Sequence, residues 1–78
     1  MSSNIVHQYF KKEAGRTKIM VKVNPILLKG TELTIGHGHS VESRELEFDL
    51  DIFDDMKADG FVECSPMEFN LYLSGLAR

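Results

Sequence analysis

His37-Gly38-His39 is the densest group of metal-ligand side chains in the sequence. On an extended backbone, residues two apart point the same way, so both imidazoles can face one ion. The glycines Gly36 and Gly38 would let the loop fold around it. A transition metal needs at least one further ligand. His7, Glu42 and Cys64 have suitable side chains, but no spacing brings them to the histidines. A glycine-rich loop with solvated histidines is the simpler expectation, and no cofactor is called for.

Cys64 is the single cysteine, which excludes a disulfide framework within the chain and a cysteine-rich zinc site. It stands just before a helix start, where a thiol pKa can fall. Glu63 and Glu68 flank it and work the other way. A lone cysteine ending a strand is more often a small core side chain. No catalytic residue is assigned, and the chain is read as a non-enzyme.

Charge divides along the sequence. Residues 1–31 balance to +5 and residues 32–78 to −8, within a net charge of −3. The basic third places Lys11, Lys12, Arg16, Lys18 and Lys22 close together, a pattern that can bind phosphates. Glu42, Glu45, Glu47, Asp49, Asp51, Asp54, Asp55 and Asp59 form the acidic counterpart. They match no calcium loop and read as solvated polar positions of a strand and a helix, or as a docking surface for a basic partner. A helix–turn–helix over 51–77 is disfavoured because the first helix carries three aspartates and the second has Asn70 but no Lys or Arg to face a duplex, so nucleic acid is a weaker partner than protein.

The last helix offers the contact surface. Phe69, Tyr72, Leu73 and Leu76 make one stripe at 100° per residue, while Met67 and Leu71 lie almost opposite. A second apolar side on so small a helix needs a cover, either from the N-terminal helix or from a partner. Met67 and Leu71 are therefore the candidate interaction residues.

These side chains need elements to position them. Ile5, Val6, Tyr9 and Phe10 predict an amphipathic helix over 3–13, capped by Ser2 or Ser3 and stopped by Gly15. Alternation predicts a strand at 17–23, with Ile19, Val21 and Val23 buried and Lys18, Met20 and Lys22 outward. Ile26-Leu27-Leu28 reads as a second short strand entering a Lys29-Gly30 turn. The alternative there is one helical turn capped by Asn24, with Pro25 first and Gly30 as stop. Leu33 and Ile35 mark the return strand, and Leu46, Phe48 and Leu50 mark another.

Ile52, Phe53 and Met56 then fall on one helical face, with Asp49 or Asp51 as cap and Asp59-Gly60 as stop. Phe61–Cys64 is a short strand or connector. Ser65-Pro66-Met67-Glu68 is a capping box opening a helix over about 66–76. The fold expectation is a single α+β domain, 1–78: a small, mostly antiparallel sheet of three to four strands packed with an N-terminal helix and two C-terminal helices. At 42% apolar and 27% charged residues, a globular chain is expected rather than a disordered one. No apolar run is long enough to span a bilayer, so no membrane association is expected and cytoplasmic residence is the default. The expected function is a non-catalytic protein-interaction or regulatory module, acting through the last helix or an uncovered strand edge, whose partner is another protein or a second copy of the chain.

Overall fold

The computed structural model describes residues 6–36 and 40–74. Among these residues are five strands and two helices, where three to four strands and three helices were expected: β1 (Gln8–Ala14), β2 (Thr17–Asn24), β3 (Lys29–Ile35), β4 (Val41–Glu47), α1 (Ile52–Ala58), β5 (Val62–Glu63) and α2 (Pro66–Leu73). All strands join one antiparallel sheet in the order β4-β3-β2-β1-β5. Among the described residues no helix is long and apolar enough to cross a membrane.

The N-terminal helix expected over 3–13 is replaced by β1; Ser2, Ser3 and Ile5 lie outside the described residues. The cause is a sheet covered on both faces. Tyr9 packs with Met20, Leu33 and Phe69 on one face, while its neighbour Phe10 packs with Val21, Val23 and Met56 on the other. Adjacent apolar residues on a doubly covered strand break the two-residue period and imitate a helix. Gly15, with φ of 63°, makes the two-residue turn from β1 to β2 instead of ending a helix. Positive φ at the first turn position matches the twist of the flanking strands and costs glycine nothing.

β2 has two buried faces for the same reason. Val21 and Val23 point toward α1, whereas Met20, expected to face outward, is fully buried beneath α2. The strand expected at Ile26–Leu28 is a turn. Asn24 Oδ1 accepts hydrogen bonds from the N–H groups of Ile26 at 2.9 Å and Leu27 at 3.0 Å, and Leu28 adopts φ of 56°. Asn24 caps and Pro25 opens that turn, as in the alternative reading, but Leu28 rather than Gly30 ends it. Gly30 lies in β3, where a Cβ would overlap the Lys22 carbonyl and press on the Phe48 ring.

β4 begins and ends earlier than the Leu46–Phe48–Leu50 alternation implies. Phe48 leaves the strand to pack against the α1 side of the sheet, and Leu50 is 84% exposed. α1 lies over the β1–β2 half of that side through Ile52, Phe53 and Met56. Asp51 makes no side-chain cap there; Asp49 Oδ1 instead accepts from the Asp51 N–H at 3.1 Å. α2 covers the opposite face and touches β2 and β4. The sheet is thus the middle of three thin layers.

Candidate interaction site

α2 is fixed by three independent devices. Ser65 Oγ accepts the Glu68 N–H at 3.1 Å, and Pro66 occupies the first turn, where its missing N–H costs nothing. Phe69 is fully buried, its ring centroid 5.4 Å from that of Tyr9. Glu68 does not close the reciprocal half of the capping box. Its carboxylate instead reaches Lys18 Nζ at 2.8 Å and Lys11 Nζ at 3.1 and 3.2 Å, tying the first turn to β1 and β2.

The Lys18 hydrogen bond is the largest influence on Glu68. With Lys11 adding to it, it outweighs burial and holds the carboxyl below its usual range. Burial works against the Lys18 charge, but Glu68 and then Tyr72 outweigh it and raise the ammonium pKa. The Lys18 ammonium lies 4.7 Å from the Tyr72 ring centre, within cation–π range. Cys64 adjoins this cluster. Burial, reinforced by Glu68 against the weaker pull of Lys11 and Lys18, raises its pKa and keeps the thiol protonated.

Met67 and Leu71 lie on the outer side of this anchored helix, 71% and 39% exposed. Among the described residues no element lies over them, because the segment expected to cover them is β1, inside the sheet. Leu73, assigned to the buried stripe, is 48% exposed; Leu76 lies outside the described residues.

The five basic residues do not form one face. Lys11, Lys18 and Lys22 share the α2 side, with Lys11 and Lys18 already bound to Glu68. Lys12 points to the α1 side, 5.7 Å from the Phe61 ring centre, and Arg16 is in the β1–β2 turn. All eight acids of the acidic group are exposed. His37 and His39 lie outside the described residues. Of the further ligands considered, only Glu42 is at the Gly36–Ser40 end of the sheet; strand register puts His7 and Cys64 toward the other end.

The fold locates two features, an apolar groove that was not expected and an uncovered strand edge that was expected without a location. The first is a groove of about 760 Å³ beside β5, floored by Phe10, Phe53 and Phe61 and edged by Asp54, Lys57 and Glu63. The second is the open side of β4. Both depend on strand order, which no local pattern encodes. No protein-family model matches the chain, and neither a curated protein nor a solved structure matches it.

Proposed function

We propose that the chain is a non-catalytic protein-interaction module that docks a partner protein through the outer side of α2. The observation carrying this reading is the Met67–Leu71 pair: two apolar side chains in the open, on a helix pinned to the sheet by Phe69, Glu68 and the Ser65 cap. A held helix loses little entropy when its outer side is covered, so burial there is favourable. Methionine adapts to the shape of what it meets.

Met67→Asp with Leu71→Asp tests this. Both side chains point away from the sheet, so the double variant retains the far-UV circular dichroism and thermal midpoint of the unaltered chain. It loses the partner that the unaltered chain recovers from its host. Equal recovery by the two chains, in a variant shown to be folded, rejects the α2 surface.

A further inference from the structure

We infer that β4 is a self-pairing edge, and that two copies of the chain join through it in one register, centred on Ser43, to make a continuous sheet. This goes beyond the α2 surface and does not depend on it.

β4 ends the sheet, and among the described residues no strand lies beyond it. Its ladder with β3 is bracketed by two hydrogen bonds, from the Gly36 N–H to the Ser40 carbonyl and from the Phe48 N–H to the Leu28 carbonyl, both 2.8 Å. In an antiparallel ladder, alternate residues turn their N–H and C=O groups toward the same neighbour. Glu42, Arg44 and Leu46 therefore face β3. Val41, Ser43, Glu45 and Glu47 turn their backbone groups outward, an edge of seven residues open to another strand. Edge strands of this kind pair with further chains unless something blunts them.

Charge is the usual guard, and here it selects a partner. Two copies related by a two-fold axis must pair antiparallel about one residue. Centring on Glu42 sets Glu42 against Glu42, centring on Arg44 sets Arg44 against Arg44, and centring on Glu45 sets Glu45 against Glu45. Like charges directly opposite one another destabilise a pair. Centring on Ser43 instead puts Glu42 opposite Arg44 twice, with Val41 opposite Glu45. Arg44 suits this role. Its guanidinium already binds Glu32 Oε1 at 2.8 Å, yet the side chain is 69% exposed. With five N–H donors it can bridge a second carboxylate on the other side. Each Arg44 would then lie between its own Glu32 and the Glu42 of the second copy.

The two-fold axis is perpendicular to the sheet, so both copies of α2 lie on one side. The Met67–Leu71 pairs would be presented together, and a partner with two matching sites would gain by avidity.

Sedimentation velocity over a range of concentration tests the pairing, with charge exchange to test the register. The unaltered chain is expected to form a dimer. Glu42→Arg alone and Arg44→Glu alone are each expected to be monomeric at the concentration where the unaltered chain is dimeric. An equal mixture of those two variants is expected to recover the dimer, since each arginine again meets a glutamate. Ser43→Pro removes an outward N–H while leaving the β3 ladder intact, and is expected to be monomeric with unchanged circular dichroism. A monomer at every concentration overturns the proposal, and so does a mixture that stays monomeric. A dimer lost in Met67→Asp with Leu71→Asp but kept in Ser43→Pro overturns it in favour of pairing through α2.

Discussion

Glu68 joins the local and long-range halves of the fold. Its N–H is held by Ser65, four residues of chain that the sequence displays as a capping motif. Its carboxylate is held by Lys11 and Lys18, which are 57 and 50 positions away and are brought to it by strand pairing. The first half was legible; the second needed the order of β1 and β2 beneath α2. The three side chains are between 19% and 33% exposed, so solvent weakens the pairing without abolishing it. Glu68→Gln is expected to cost about 1 kcal/mol at neutral pH, between the values for an exposed and a buried pair. Because folding lowers the Glu68 pKa, its contribution is complete above the usual carboxylate range. It disappears as pH falls through the depressed folded value. Urea denaturation should therefore separate variant from unaltered chain at pH 7 and bring them together in strong acid. A gap that persists in acid would assign the loss to packing.

At the scale of elements, the β2–β3 turn shows how a short polar side chain decides between two structures. Asn24 Oδ1 binds the N–H groups of Ile26 and Leu27, while Leu28 N–H returns to the Asn24 carbonyl at 2.8 Å. That ties off the turn and leaves Ile26 and Leu27 exposed, at 71% and 62%. Asn24→Ala is expected to cost about 1 kcal/mol, the usual loss for a capping side chain. Amide exchange should quicken first at Ile26 and Leu27, and unchanged exchange there would show that the backbone alone holds the turn. The apolar run Ile26-Leu27-Leu28 looked like strand because burial is the ordinary reason for such a run. β1 failed in the opposite direction, since Tyr9 and Phe10 serve opposite faces. β4 carried little signal because its side chains are mostly exposed and charged. α1 and α2 were readable because each turns an apolar side to the core and carries one clear local boundary, Gly60 after α1 and the Ser65 cap before α2. The candidate site was legible to the same extent: Met67 and Leu71 follow from helical spacing, whereas the groove and the open edge follow only from strand order.

For the whole molecule, the consequence of a doubly covered sheet is shared stability. One cluster holds Met20, Leu33, Ile35 and Phe69; the other holds Val21, Val23 and Met56. Met20 and Val21 are neighbours on β2, so each cluster braces the strand that the other uses. A chain of this size has about 4–12 kcal/mol of total stability by the usual per-residue range. Met56→Ala is expected to remove about 2–5 kcal/mol, the range for deleting a large buried aliphatic side chain. Its effect should cross the sheet. Both tyrosines, Tyr9 and Tyr72, belong to the α2 side, away from Met56, and so report on the distant face. In urea, their fluorescence transition should move to lower denaturant together with the far-UV circular dichroism transition, in a single step. If the tyrosine signal stayed in place while circular dichroism shifted, the two layers would be folding separately. The central strands would then not couple them.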